Sequence, residues 1–224
     1  MGDDGDIDFQ SVWVNIIQLR SVTASYPGRP PLFNRFDFQL NAETRVGLLG
    51  SNGSGKSTLL RIMLGLHPIS AGQIVLFGED CRTEEQFRPY RTRIGLVFQN
   101  PRDQLFCPTV REELSFGPRN LGVSAQAVDE RVDWALERFE LTGISRRVPY
   151  QLSGGEQHLV ALAAVLTMNP EVLLLDEPFD WLDGHRRDLV VDYLLKEAPG
   201  YLLVAQDQSM LEDLCPDGVV NIGH

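Results

Sequence analysis

The sequence of 224 residues is poor in cysteine and has only three, Cys81, Cys107 and Cys215, which lie far apart in the chain. No two of them form a Cys-x-x-Cys pair, so neither a metal cage nor a disulfide framework is expected. Separate reduced thiols are typical of a protein that works in the cytoplasm.

Two further features are missing, a long apolar run and an excess of positive charge. The chain opens MGDDGDID, unlike the basic-then-apolar pattern of a signal peptide, and we expect none. The longest apolar run, LVALAAVLTM, is shorter than the roughly 20 residues that a membrane-spanning helix needs. The formal net charge of −11 disfavours non-specific attraction to nucleic acid or anionic lipid. Work at a membrane is therefore expected to depend on a partner protein.

What the sequence does have is an alternation of strand-like and helix-like segments. Continuous apolar runs such as VGLLG and EVLLLD predict strands buried on both faces, as in parallel sheets. Further strand-like runs are VWVNIIQL, GQIVLFG, RIGLVFQ and YLLVAQD. Helical periodicity predicts helices over 56–65, 125–140, 153–168 and 184–195. We therefore expect an α/β fold with a mainly parallel sheet.

The predicted domain organisation is a single domain over residues 1–224. The segment between about 100 and 159 has helical patterns but no strong strand, so we interpret it as a helical insertion. Residues 1–99 and 160–224 are then expected to form the core.

The strand RVGLLG leads into GSNGSGKST, residues 50–58, and then into a helical pattern. This stretch fits GxxxxGK[ST], in which glycines let several backbone N–H groups point at one anion. Lys56 is expected to reach the β- and γ-phosphates of a nucleotide, and the Ser57 hydroxyl to bind Mg²⁺. The alternative, a chance match, is disfavoured by the flanking strand and helix. The predicted phosphate contacts are Gly50, Ser51, Asn52, Gly53, Ser54, Gly55, Lys56, Ser57 and Thr58.

A pair of acidic residues ends the strand EVLLLDEP. Asp176 is expected to hold Mg²⁺, directly or through water, since a triphosphate with its metal needs an acidic partner. Glu177 is expected to orient or deprotonate the attacking water. The alternative is an ordinary acidic strand end before the turn at Pro178.

The stretch LSGGEQ begins another helix. Ser153 and Glu156 form a capping box, but capping does not explain Gly154 and Gly155, because each helical glycine costs roughly 1 kcal/mol relative to alanine. Glycines suit a helix start that an anion approaches closely. Since residues 50–58 are already expected to bind the phosphates of one nucleotide, this second helix start is expected to bind a nucleotide that is held by another chain.

Together these residues resemble the nucleotide-binding subunit of ABC transporters, whose signature is LSGG. The resemblance implies the phosphate-loop core with N-terminal antiparallel strands, two ATP between two head-to-tail subunits, and three further roles. Tyr26 resembles the residue that stacks on adenine, Gln99 the one that senses Mg²⁺ and the membrane partner, and Asp183 the one that crosses the dimer interface. The alternatives are a strand-end aromatic for Tyr26, a solvated strand end for Gln99 and a helix cap for Asp183.

The stretch FQNPRDQLFCPTVREELSFGPRNLG is similar to the ATPases of energy-coupling factor (ECF) transporters, which import vitamins and metal ions such as cobalt or nickel. This implies a peripheral protein on the cytoplasmic face of the cell membrane, with an integral scaffold subunit and a substrate-capturing membrane subunit. Another ABC transporter branch is the alternative. A soluble ATPase of chromosome or translation work is disfavoured, because only about fifty residues separate Gln99 from the signature. No nucleic acid partner is expected.

The chain departs from the family pattern at three places. His158 and Leu159 stand where a basic residue is usual, which we expect to have little consequence. Gln206 stands where the family has its switch histidine, so we expect a slower but active ATPase. The alternative is an ATP-dependent dimerisation switch that hydrolyses poorly. Because the chain ends soon after its last strand, the isolated subunit is expected to be monomeric without ATP or its partner.

Overall fold

The computed structural model describes residues 15–222 and contains two β-sheets with helices packed between and beside them. The strands are β1 (Asn15–Ser25), β2 (Pro31–Asn41), β3 (Arg45–Leu49), β4 (Ala71–Leu76), β5 (Glu79–Cys81), β6 (Ile94–Val97), β7 (Val172–Asp176), β8 (Gly200–Val204) and β9 (Val219–Asn221). The helices are α1 (Lys56–Met63), α2 (Glu84–Arg91), α3 (Val110–Asn120), α4 (Ala125–Arg138), α5 (Gly154–Leu166), α6 (Gly184–Lys196) and α7 (Gln208–Leu214).

The larger sheet has the strand order β6-β7-β8-β3-β9, and all of its pairs are parallel. Its central strands separate two hydrophobic cores. Leu173 and Leu175 of β7 face the core built with α3 to α7, while Val172 and Leu174 face the core that contains α1. Burial on both faces is the reason for the continuous apolar runs in these strands.

The smaller sheet has the order β2-β1-β4-β5 and is antiparallel throughout. It covers α1 and one face of the parallel sheet through buried side chains such as Ile17, Leu19 and Leu40. The predicted α/β fold with N-terminal antiparallel strands is therefore confirmed. The first residues of the predicted strand VWVNIIQL, 12–14, lie outside the described part of the chain.

Helices α3, α4 and α5 lie between β6 and β7 in the sequence and pack on one another. Helix α5 is buried over almost its whole surface, as its apolar sequence requires. The predicted helices start within one residue of the observed starts and end within two, whereas β2, β5, β9, α2 and α7 were not predicted. No helix within residues 15–222 is long and apolar enough to cross a membrane.

The carboxyl ends of β3, β7 and β8 meet at one edge of the parallel sheet, since the three strands are parallel neighbours. Ligands of open α/β sheets bind at this edge. The turn after β3, the acidic pair after Leu175 and Gln206 after β8 are thereby brought to the same place.

Candidate functional site

The turn between β3 and α1 is shaped by glycine. Gly55 caps α1 with a left-handed backbone (φ 101°), and no side chain in the described chain caps the helix. A Cβ at this position would lie 2.8 Å from a side-chain carbon of Leu32, so a larger residue would have to displace Leu32 and adopt a strained backbone. The helix begins its backbone bonding with Leu59 N–H donating to Gly55 O at 2.8 Å. The first amide groups of α1, those of Lys56, Ser57 and Thr58, are therefore available to an external anion, whereas Ser54 N–H already donates to Ser51 O at 3.1 Å.

Lys56 follows this turn as the first residue of α1 and is buried. Its ammonium donates to Gly50 O at 2.7 Å and to Ser51 O at 3.3 Å, and it lies 3.6 Å from Glu177 Oε1. The ammonium is thus held by two loop carbonyls and one carboxylate, at the point where the loop meets the end of β7. A positive charge in such a position attracts the phosphates of a nucleotide.

The three residues predicted to bind metal line one cleft of about 380 Å³, which Ser57, Gln99 and Asp176 share with Arg61 and Trp181. Asp176 is buried, and its Oδ1 has no hydrogen-bond partner among the described residues. Burial raises the pKa of Asp176, and the Ser57 hydroxyl opposes that shift. A buried carboxylate oxygen without a partner beside a serine hydroxyl fits an oxygen-binding cation such as Mg²⁺.

Glu177 follows Asp176 with a left-handed backbone (φ 51°), which is uncommon for a residue with a side chain. Its N–H donates to Val204 O at 3.1 Å, which fixes the turn onto the end of β8. Its Oε1 accepts a bond from Gln206 Nε2 at 3.2 Å. Burial raises the pKa of Glu177, while the Gln206 bond lowers it and the nearby Asp180 raises it. Gln206 is therefore placed against Glu177, and the two line a cleft of about 250 Å³.

Tyr26 stands next to the phosphate loop. Its hydroxyl shares a hydrogen bond of 2.8 Å with Thr58 Oγ1, and its ring contacts His67 with the centroids 4.8 Å apart. The ring is 38% exposed. The ring is thus fixed at its hydroxyl and supported by a second ring, and its role in stacking on adenine stays a prediction.

The start of α5 has the predicted capping box. Ser153 Oγ accepts from Glu156 N–H at 3.3 Å, and Glu156 Oε2 accepts from Ser153 N–H at 2.8 Å. The two glycines differ in their surroundings. A Cβ at Gly155 would lie 2.8 Å from the carbonyl oxygen of Trp181, whereas one at Gly154 would meet the Trp181 side chain only at 3.4 Å. Gly155 is thus required by close packing within the same chain, and this packing is a second reason for glycine besides anion approach.

Asp183 caps α6 by accepting from Arg186 N–H at 2.9 Å. The Arg186 guanidinium also pairs with Asp183 and lies 3.6 Å from Glu156 Oε1. In this single chain Asp183 therefore acts as a helix cap, which is the alternative that the sequence left open. The same contacts connect the start of α6 to the start of α5, and the role of Asp183 at a dimer interface stays a prediction.

Comparison with known families supports the same interpretation of the site. The ABC transporter family profile matches residues 33–180, which is more than half of the chain. The chain belongs to the ABC transporter family. It is an ATP-binding subunit of that family, and its activity is that of an ABC ATPase. The matched residues of this ABC domain include the phosphate loop, Gln99, the signature and the Asp176–Glu177 pair, but not Gln206.

Two relatives and one solved structure agree with the ECF resemblance. The nickel import ATP-binding protein NikO of Rhodobacter capsulatus is 46% identical over 80% of this chain and 72% of its own length. The energy-coupling factor transporter ATP-binding protein EcfA of Methanothermobacter thermautotrophicus is 41% identical over 81% of this chain and 58% of its own. The structure of cbiO1 from Clostridium perfringens, described as part of the ABC transporter complex cbiONQ, has a TM-score of 0.78 and 29% identity over 92% of this chain and 84% of its own.

The sequence analysis gave no role to two residues of the ABC domain, Trp181 and His158. Trp181 is 78% exposed with a left-handed backbone (φ 67°) between the acidic pair and Asp183. The sequence does contain a signal for Trp181, because it is an aromatic residue a few positions after the acidic end of a strand. His158 is buried and faces Gln99 across 59 residues of sequence, a contact that no local pattern reveals. Its ring lies within hydrogen-bond distance of two carbonyl oxygens, those of Gly154 and Gln99, and the expected small consequence of His158 stays a prediction.

Proposed function

We propose that this chain is the ATP-hydrolysing subunit of an ECF-type importer of a vitamin or a transition-metal ion. The observation that carries the proposal is the position of Glu177, whose Oε1 lies 3.6 Å from Lys56 Nζ and 3.2 Å from Gln206 Nε2 at the end of the parallel sheet. The names of the relatives EcfA and NikO support the branch.

In the proposed mechanism, the Lys56 ammonium and the free amides at the start of α1 bind the phosphates and offset their negative charge. Glu177 orients the attacking water and accepts its proton. Because burial raises the pKa of Glu177, the carboxylate is a better proton acceptor than a solvated glutamate. The Gln206 amide restrains Glu177 at Oε1 and leaves Oε2 for the water.

Ser57, Asp176 and Gln99 would hold Mg²⁺ in the cleft that they share. The ion would supply positive charge next to the phosphate oxygens. Asp176 already directs an unpartnered buried oxygen toward such a ligand.

The proposed partner in hydrolysis is a second ABC ATPase subunit, identical or paralogous, arranged head to tail. The start of α5 supports this, because Ser153 to Gly155 belong to a helix start other than that of the phosphate loop. Each chain would offer this start to the nucleotide of its partner. The working assembly would lie on the cytoplasmic face of the membrane, bound to a scaffold subunit and a substrate-capturing subunit.

The surface proposed to meet the scaffold subunit contains Phe106 and Phe116. They are 66% and 44% exposed, and their rings form an edge-on pair with centroids 4.7 Å apart. The buried carboxylate of Glu113 accepts from the N–H groups of Phe106 and Cys107 at 2.9 and 2.7 Å. The loop that presents Phe106 is therefore fixed, and it follows Gln99 closely in the chain.

Glu177→Gln tests the hydrolytic assignment. The amide keeps the size of the side chain but cannot accept a proton, so we expect an ATP-bound dimer that forms and does not turn over. Phosphate release and light scattering after size-exclusion chromatography measure the two effects. Glu140→Gln is the matched control, since Glu140 is exposed and bonds His185. Full turnover in Glu177→Gln would refute the role of Glu177.

A dimerisation switch with weak hydrolysis is the second candidate, and the contact of Gln206 with Glu177 favours it. Gln206→His tests it. An imidazolium forms a charge-assisted bond, worth roughly 1.5–3 kcal/mol against about 1 for a neutral one, so the mutant is expected to hydrolyse ATP faster by about tenfold. Gln208→His, two residues further on, is the control. An unchanged or lower rate would show that the site is built around glutamine.

The double substitution Phe106→Ser and Phe116→Ser tests the docking surface. We expect a loss of co-purification with the membrane subunits and an unchanged affinity of the free chain for ATP. Leu195→Ser is a suitable control, because Leu195 is 47% exposed and its carbonyl accepts from Arg45 at the opposite edge of the sheet. Retention of the complex by the double mutant would reject this surface.

A further inference from the structure

The side chain of His158 connects the first turn of α5 to the loop after β6. His158 is 3% exposed. Its Nδ1 lies 3.0 Å from Gly154 O, and its Nε2 lies 3.1 Å from Gln99 O. Both facing atoms are carbonyl oxygens, so each ring nitrogen bonds its partner only by donating. The bond to Gln99 needs a proton on Nε2, which the Nε2–H tautomer and the protonated ring both carry.

A second attachment holds the same loop to α5. Gln104 Nε2 donates to Ala161 O at 3.0 Å, and Gln104 Oε1 accepts from Phe98 N–H at 3.2 Å. His158 and Gln104 therefore bind the loop on either side of its turn. Buried polar contacts of this kind are rigid when their partners are satisfied, so the backbone of Gln99 moves with α5.

The two residues that His158 contacts, Gln99 and Gly154, belong to the sites of two different nucleotides. Gln99 lines the cleft that contains Ser57 and Asp176, which serves the nucleotide of its own chain. Gly154 belongs to the helix start that we assign to the nucleotide of the partner. We infer that His158 is a positioning residue that couples the two ATP sites of the dimer, by transmitting a shift of the α5 start to Gln99. This inference rests on the proposed head-to-tail dimer.

Coupling of this kind can be measured as cooperativity. Two sites that shift the conformation of the same structural element bind or react cooperatively. Closure of the partner's nucleotide against Gly154 would set Gln99 for hydrolysis in the same chain. The wild-type dimer is then expected to hydrolyse ATP with a Hill coefficient of about 2, because the Hill coefficient cannot exceed the number of sites.

Two amide substitutions separate the two contacts of the ring. His158→Gln places an amide nitrogen close to the position of Nε2 and retains a donor for Gln99 O. His158→Asn places one close to Nδ1 and retains only the bond to Gly154 O. We expect His158→Gln to keep the cooperativity of the wild type. His158→Asn is expected to lower the Hill coefficient to about 1, as for independent sites, and to lower kcat more than it raises KM.

Gln157→Ala is the matched control for disturbance of the helix. Gln157 is also 3% exposed and donates to Leu152 O at 3.1 Å, a contact that does not involve Gln99. Thermal melting is expected to show similar destabilisation for Gln157→Ala and His158→Asn. Only His158→Asn is expected to lose cooperativity. The measurement is steady-state ATPase against ATP concentration, on the full chain within its transporter complex.

The outcomes separate this inference from the proposed function. A wild-type chain that hydrolyses ATP without cooperativity, or a cooperative His158→Asn, overturns the coupling and leaves the ATPase assignment standing. Equal loss of cooperativity in Gln157→Ala also overturns it, since the effect would then belong to the helix as a whole. A wild type that forms no ATP-dependent dimer removes the proposed function, and the inference falls with it.

Discussion

The starts of α1 and α5 are both rich in glycine, but they are built differently. At α1 a left-handed Gly55 stands in the cap position, the first turn has no acidic residue, and Lys56 contributes a buried positive charge. At α5 Ser153 and Glu156 bond each other's backbone, and Glu156 adds a negative charge to the first turn. At both helix starts some N–H groups have no partner within the helix. Of the two starts, however, only α1 has a cation, Lys56, in its first turn.

From this difference we propose that the α1 start is a complete phosphate site and that the α5 start is half of one. The amides and Lys56 at α1 offer both geometry and charge to an anion. At α5 the side-chain caps already use two amides, those of Ser153 and Glu156, and Glu156 adds a negative charge that Arg186 at 3.6 Å offsets only in part. The start of α5 therefore needs phosphates that are already neutralised elsewhere, which a nucleotide bound at the α1 start of a second chain would provide.

Removal of the cation from α1 should have the largest effect. Lys56→Ala leaves the loop amides in place but deletes the charge, so we expect kcat to fall by about 100- to 1000-fold, as for the loss of one transition-state donor. Phosphate release at saturating ATP measures this. Lys196→Ala, which removes an exposed charge paired with Asp192, should hydrolyse ATP normally. Retained activity in Lys56→Ala would place the phosphates elsewhere.

The two glycines of α5 provide an intermediate test. A Cβ at Gly155 would meet the Trp181 carbonyl at 2.8 Å, so Gly155→Ala must displace Trp181, whereas Gly154→Ala has 3.4 Å of space. We expect Gly155→Ala to slow hydrolysis by about 10- to 100-fold while ATP binding to the single chain is unchanged. A nucleotide-binding titration and an ATPase assay check both. If Gly154→Ala is equally slow, anion approach, and not packing against Trp181, explains the glycines.

The smallest expected effect is a shift in the pH dependence of hydrolysis. Burial raises the pKa of Glu177, and the bond from Gln206 lowers it. Hydrolysis needs the carboxylate, so the rate falls as the pH drops through this raised pKa. Gln206→Leu removes the bond that favours the carboxylate, which raises the pKa further, and the acid limb of the kcat profile should move to higher pH. Gln208→Leu should leave the limb in place, and a shift toward lower pH would contradict the contact.

Much of the site was predictable because its signals are local. The glycine pattern before α1, the capping box of Ser153 and the acidic end of β7 are each contained in a few residues, and the structure has a strand, a turn or a helix start at each of them. The domain division and the individual site roles remain predictions. The missed strand β2 shows the limit of local patterns, because PLFNRFDFQLN buries only some of its side chains and has no continuous apolar run.

The contact of Gln206 with Glu177 and the bridge from His158 to Gln99 have a different origin. Their partners are separated by 29 and 59 residues, and each pair meets because parallel strands or packed helices bring distant ends together. Gln206 stands where the family has its switch histidine, and the structure places its amide against the carboxylate of Glu177, while its part in hydrolysis stays a prediction.

The sequence alone determined that this chain has a phosphate loop, a capped signature helix and an acidic strand end, because glycine geometry, capping and periodicity act within a few residues of the chain. The tertiary structure decided which of these features touch. It set Lys56 against Glu177, Gly155 against Trp181 and His158 against Gln99, since the order of strands in the sheet and the packing of α5 fix distances that no local rule contains.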